Sequence, residues 1–227
     1  MNVLKKEKKE QGKENVLRAL ISKPILLMFL LISLLNYFVF TQFTFSLPLQ
    51  MNGLFGSKDG VVLYSTLVTI NAVCVIVLTP LITAITKKWA AIISNVVGAL
   101  LYAIGFGMLY YSQSVVPIMI STVLWTIGEI LIQTNVYVYI AERSPVEYRA
   151  RFNSLLLLIG IAGFALGPSM TGLFIRNYGV HLVWPMIFII SMVYAGLLYV
   201  LYGLERRKQV GVHCSEVGVS GDDGLSG

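Results

Sequence analysis

Charge is what this chain has least of. Only 12% of its 227 residues are Asp, Glu, Lys or Arg, while 56% are hydrophobic; soluble domains lie near ~25% and ~45–50%. The stretch from Pro24 to Gly203 carries eleven charged side chains. So little charge cannot keep a large globule in water, which excludes an ordinary soluble enzyme or binding module. So much hydrophobicity excludes a disordered chain. Cysteine and histidine are equally sparse, two of each. Cys74 lies in an apolar run and Cys214 in the polar tail, so no disulfide is expected. His181 and His213 stand alone, so no metal site is expected. There is no Gly-Lys-Ser/Thr phosphate loop. Neither a cofactor nor an ATP-driven engine is expected.

What the chain does have is long apolar runs. A transmembrane helix needs about 20 mostly apolar residues. Six stretches qualify, about 24–48, 61–86, 89–112, 116–140, 152–175 and 181–203. They are too long, and alternate too little, for strands of an outer-membrane barrel. The fold class expected is all-α: a polytopic membrane protein with six transmembrane helices, whose surroundings are the lipid bilayer. A basic head over 1–23 precedes the 24–203 membrane domain, and a Gly-, Ser- and Val-rich tail over 204–227 is expected to be disordered. The head lacks the short apolar core and small-residue cleavage site of a signal peptide.

The net charge of +6 and pI near 9.3 would suggest nucleic acid in a soluble protein. Placement decides otherwise. Of the 17 Lys and Arg residues, 15 fall in the head, the second and fourth connections and the tail, leaving Lys58 and Arg176 on the other side. That asymmetry puts both termini in the cytoplasm and accounts for the pI without nucleic acid.

Glu129 is the one acidic residue well inside a span, near its midpoint. A charge there costs at least ~2.5–3.5 kcal/mol, so it is expected to face the bundle interior. Burial disfavours its charged form. Thr126, Gln133 and Tyr137 continue a polar stripe on the same helix face. Two readings are open: a protonatable or substrate-contacting group in a cavity, or a structural hydrogen bond to another helix. Asn36, Tyr37 and Asn71 are further midspan polar groups with the same two readings. Tyr37, Phe38, Phe40, Phe43 and Phe45 either face lipid or line a cavity.

Two spans carry small residues at helical spacing, which lets backbones approach. The third has Ala91, Asn95, Gly98 and Gly105. The fifth has Gly160, Gly163, Gly167 and Thr171, with Pro168 and Gly172 beside them. A Gly-Pro bend within a packing seam is a candidate hinge. In the fourth connection, Ser144, Pro145 and Glu147 have the spacing of a capping box, which starts a helix near Pro145. Arg149 and Arg151 then serve either as a basic membrane anchor or as a latch to acidic groups on another cytoplasmic loop.

Gly128-Glu129, the loop from Glu142 to Arg151, and Gly163-Phe164-Ala165-Leu166-Gly167-Pro168-Ser169-Met170-Thr171-Gly172 together resemble a major facilitator superfamily transporter. They are most similar to its proton-driven drug-efflux antiporter branch. The last stretch resembles the signature GxxxGPxxGG, with Gly163, Gly167, Pro168 and Gly172 matching and Thr171 in place of a glycine. Family members have twelve helices in two halves. The motif G-x-x-x-D-R-x-G-R-R of the first half has no counterpart around Lys87-Lys88, so the chain resembles the C-terminal half, helices seven to twelve.

The resemblance implies transport of a small-molecule substrate across the plasma membrane by alternating access, through proton-coupled efflux rather than enzymatic catalysis. It also implies a second six-helix unit, as a homodimer or a separate first half, because the cavity lies between halves. One alternative is a non-transporting fragment or scaffold. A remoter one is an intramembrane protease built on Ser169 and His181.

Overall fold

The computed structural model describes residues 23–219, with side chains to Arg207. The basic head, apart from Lys23, and residues 220–227 lie outside the described residues. Among the described residues six α-helices occur in order: α1 (Pro24–Thr44), α2 (Ser46–Thr86), α3 (Ala91–Met108), α4 (Val115–Arg143), α5 (Arg149–Tyr178) and α6 (Val183–Val219). Short 3₁₀ turns at Val146–Tyr148 and Val180–Leu182 introduce α5 and α6. No strand occurs among the described residues.

Five helical segments are long and apolar enough to cross a membrane: Pro24–Thr86, Ala91–Met108, Val115–Arg143, Val146–Tyr178 and Val180–Arg207. The first is interrupted twice. At Phe45 the helix is distorted, with φ −106° and ψ −59°. At Gly56 the backbone takes φ 80° and ψ 170°, a region open essentially to glycine alone. A Cβ on Gly60 would lie 2.6 Å from the Met51 carbonyl oxygen. Nine residues of straight helix would separate those positions by about 13 Å, so the chain doubles back at Gly56.

Many serine and threonine hydroxyls along these helices bond carbonyls of their own helix. Ser33 donates to the Phe29 carbonyl at 2.8 Å, Thr122 to Ile118 at 3.0 Å and Thr126 to Thr122 at 2.7 Å. An apolar surrounding favours this, since no water competes for the donors.

Helix α3 packs chiefly on α4 and α6, α1 on α5 and α6, and α2 on α4. Glycines set the closest approach of α3 to α4: a Cβ on Gly98 would stand 2.8 Å from the Gly128 carbonyl, and one on Gly105 2.8 Å from Trp125 Cβ. Ser121 then bonds the Gly105 carbonyl at 2.7 Å. Four aromatic rings tie the bundle together from α1 to α6. Phe43 lies 4.7 Å from Trp125, Trp125 stacks on Phe106 at 5.3 Å, and Phe106 stacks on Trp184 at 6.1 Å.

Several expected boundaries shift. The fourth span reaches Arg143 and the last helix runs to Val219, so residues 204–219 are helical where a disordered tail was expected. The helix expected to begin near Pro145 begins at Arg149. Ser144 does not cap it. Its hydroxyl donates backward to the Ile140 carbonyl at 2.6 Å, closing α4, and Pro145 is extended with ψ 146°.

Candidate functional site

Glu129 stands midway along α4, fourteen residues from either end. Asn71 stands midway along the arm of α2 that follows Gly56. Side-by-side packing of the two helices brings these residues to one level. The Asn71 Nδ2 donates to Glu129 Oε2 at 2.8 Å and to Thr126 Oγ1 at 3.0 Å. Thr126 is fully buried, whereas Glu129 and Asn71 are half-buried. The carboxyl therefore has one oxygen held from α2 and keeps an exposed edge. Such an arrangement can hold a proton or accept a hydrogen bond from a solute while its position stays fixed.

The other expected polar residues are not gathered here by hydrogen bonds. Gln133, one turn along α4, is half-buried, and Tyr137 is exposed. The stripe Thr126, Glu129, Gln133, Tyr137 thus runs from core to surface. Asn36 is buried, and its Oδ1 has no partner among the described residues. Tyr37 covers the glycine face of α5: a Cβ on Gly160 would meet its ring at 3.2 Å, and one on Gly163 would meet its Cβ at 2.5 Å. A Cβ on Gly167 would overlap the Thr41 hydroxyl. Helix α5 continues unbroken through Pro168. Gly172 lies at ordinary contact distance, 3.6 Å, from the Phe45 ring. The α1 aromatics mostly pack inward, Phe40 on Phe164 at 6.0 Å and Phe43 on Tyr64 at 6.0 Å.

Of the two readings open for Arg149 and Arg151, the latch is not made among the described residues. Among the described residues Arg149 reaches the Ser144 carbonyl, at 3.5 Å, and Arg151 lies over the Tyr148 ring at 5.3 Å. The ion pairs belong instead to Arg143, at the end of α4. It binds Glu205 of α6 with Nε at 2.6 Å and Nη2 at 2.8 Å, and Glu142 with Nη1 at 2.8 Å. Its guanidinium covers the Tyr139 ring at 3.9 Å, and the Tyr139 hydroxyl also bonds Glu205. Sequence reasoning missed this cluster. The available signal was a basic and an acidic residue each ending a long apolar run at the same end of the bundle.

The protease constellation is not assembled. The Ser169 hydroxyl donates to the Ala165 carbonyl of its own helix at 3.0 Å. The His181 ring lies 4.2 Å from that of Tyr110.

A sequence model of the Major Facilitator Superfamily matches residues 29–213. The chain belongs to that superfamily. Membership of the Major Facilitator Superfamily, with the long apolar helices, makes this an integral membrane protein and points to solute transport rather than enzymatic chemistry. An uncharacterized MFS-type transporter of Bacillus subtilis, YttB, is 26% identical over 121 residues, which are 52% of this chain and 30% of that protein. Two solved structures share the fold. One is a POT family transporter in complex with a thioalcohol-conjugated peptide, with TM-score 0.63 and 19% identity over 85% of this chain and 42% of that one. The other is a POT family transporter in complex with 5-aminolevulinic acid, with TM-score 0.62 and 20% identity over 83% and 41%. The chain thus spans less than half the length of each of these proteins.

Proposed function

We propose that this chain is a six-span half of a proton-coupled transporter, resembling the C-terminal half and moving small solutes outward by alternating access. The observation that carries the reading is the Asn71–Glu129 pair, a carboxyl held at 2.8 Å in the middle of the bundle with one edge open. A carboxyl kept at this depth is expensive, and in membrane proteins such groups mark ion and substrate pathways. Protonation and release at Glu129 would couple solute movement to the proton gradient. The reversal at Gly56 supports six passes rather than five, because a 63-residue helical segment is about three times what one crossing needs. With six passes, the ends bearing Lys87, Lys88, Arg143, Arg149 and Arg151 lie in the cytoplasm with both termini, in the plasma membrane.

A second six-span unit completes the transporter, either a copy of this chain or a separate first half. The largely exposed apolar faces of α2 and α5, including Val73, Ile76, Leu157 and Ile161, support such a partner.

The deciding experiment is proton-driven transport in vesicles holding the assembled protein, across a pH series, with Glu129→Gln alongside. Gln keeps the shape and removes the titration. A folded variant that has lost proton-dependent transport is the expected result. Identical pH dependence in the two proteins would refute the coupling role. Cysteine labelling at positions 58 and 148 tests the topology, with 58 reached from outside and 148 only after permeabilisation.

A further inference from the structure

At the end of the bundle opposite Arg143, α3 and α6 enclose a groove of about 590 Å³. It is lined by Ile104, Gly107, Tyr110 and Tyr111 from α3 and the turn after it, and by Pro185 and Phe188 from α6. Gly107 shapes it. A Cβ there would stand 2.9 Å from Phe188 Cδ2, so only a bare backbone lets the Phe188 ring lie against α3 and form the floor. The groove has two unlike ends. Toward the middle of the bundle it is hydrocarbon, with Ile104 and Phe188. Its other end is lined by Tyr110 and Tyr111, with Tyr111 84% exposed, and the His181 ring lies against that of Tyr110.

This placement identifies the occupant. Helix α3 ends at Met108 and α6 begins at Val183, so the mouth lies where these helices leave the membrane. Rings with polar tips concentrate at that level. Ile104, Leu182 and Phe188 are themselves exposed, so the groove is continuous with the lipid-facing surface of the two helices. Water does not fill it, because an ordered water needs two to four polar partners and the inner part offers none. The volume falls in the range of specific ligand sites, ~300–1,000 Å³. A cavity that is apolar within and polar only at its mouth matches one kind of molecule abundant around it.

We propose that this groove binds a bilayer phospholipid, with one acyl chain along Ile104 and Phe188 and its headgroup at Tyr110, Tyr111 and His181. The site is formed by α3, α6 and the turns at their ends, whereas Glu129 and Asn71 belong to α4 and α2. It therefore stands whether or not the transport reading does.

The test uses the full chain, taken from vesicles of phosphatidylethanolamine and phosphatidylglycerol into mild detergent, with native mass spectrometry. One phospholipid retained per chain is expected. Ile104→Trp and Leu182→Trp, at exposed positions on the groove wall, should lower the lipid-bound fraction at least tenfold. Met170→Trp, on the exposed face of α5, should leave it unchanged. Circular dichroism confirms folding. A second measurement needs no variant: a phosphatidylethanolamine carrying an acyl-chain diazirine should label Ile104 and Phe188 above all other sites. Four results would each overturn the proposal: no retained lipid, retention in both groove variants, equal loss in all three, or diazirine adducts spread evenly over α2 and α5. So would a second copy of the protein in place of the lipid.

Discussion

Arg143 and Glu205 meet in a two-point ion pair across 62 residues of sequence, with nitrogen–oxygen distances of 2.6 and 2.8 Å. Their side chains are 25% and 11% exposed. The pair joins the end of α4 to α6, so the helix that carries Glu129 is held at one end by a charge clamp and at its middle by Asn71.

Glu205→Gln should therefore destabilise the chain by about 1.5–3 kcal/mol, the usual value of hydrogen bonds to charged groups. Arg143→Met should cost a similar amount, since it leaves the largely buried Glu205 carboxylate without its ion partner. Thermal unfolding of the two single variants and the double variant checks this. The double variant should lose less than the sum of the singles, with a coupling of ~0.5–3 kcal/mol. Additive losses would mean that the two side chains act separately.

Asn71→Leu removes the donor that holds Glu129 but adds apolar volume at a half-buried site. Its loss of stability should be small, about 1 kcal/mol, while transport in the assembled protein should fall. Normal transport with normal pH dependence in this variant would show that Glu129 needs no support from α2.

Gly163→Leu and Gly167→Leu push side chains into Tyr37 and Thr41. Overpacking of this kind costs ~1–3 kcal/mol or more, and the α1–α5 seam has no slack at either position. Gly172→Ala has only a 3.6 Å contact to meet and should be nearly silent. Melting temperatures in detergent separate the two cases.

Gly56→Ala isolates a backbone effect. Beyond the adjoining backbone nothing lies within 4 Å of the added Cβ, so the loss comes from the local conformation, φ 80° and ψ 170°. A cost of ~1–3 kcal/mol is expected, and Gly53→Ala, which also has open space around it, is the control. Equal stability of the two variants would remove the strained turn from the account.

Much of this protein was legible from local chemistry. The long apolar runs require helices wherever water is missing, because only a helix satisfies its own backbone groups. Glu129 stood out for the same reason, since a lone carboxyl in an apolar run must find a partner. The approach of α3 to α4 at Gly98 and Gly105 was also visible, as a spacing of small residues.

Which groups actually meet was decided by the tertiary structure. In a soluble helix the apolar stripe shows which face turns inward. Here the helices are apolar on nearly every face, so their rotation is not written in their own residues. Rotation is settled by packing against other helices. That is why Asn71 rather than Gln133 bonds Glu129, and why Arg143 rather than Arg149 forms the clamp. It is also why Ser144, with the right spacing to start a helix, ends one instead. Composition and spacing alone specified a membrane-spanning helical chain with a polar residue at its centre. Only the packing decided what that residue touches, because the decisive contacts join residues that no local pattern relates.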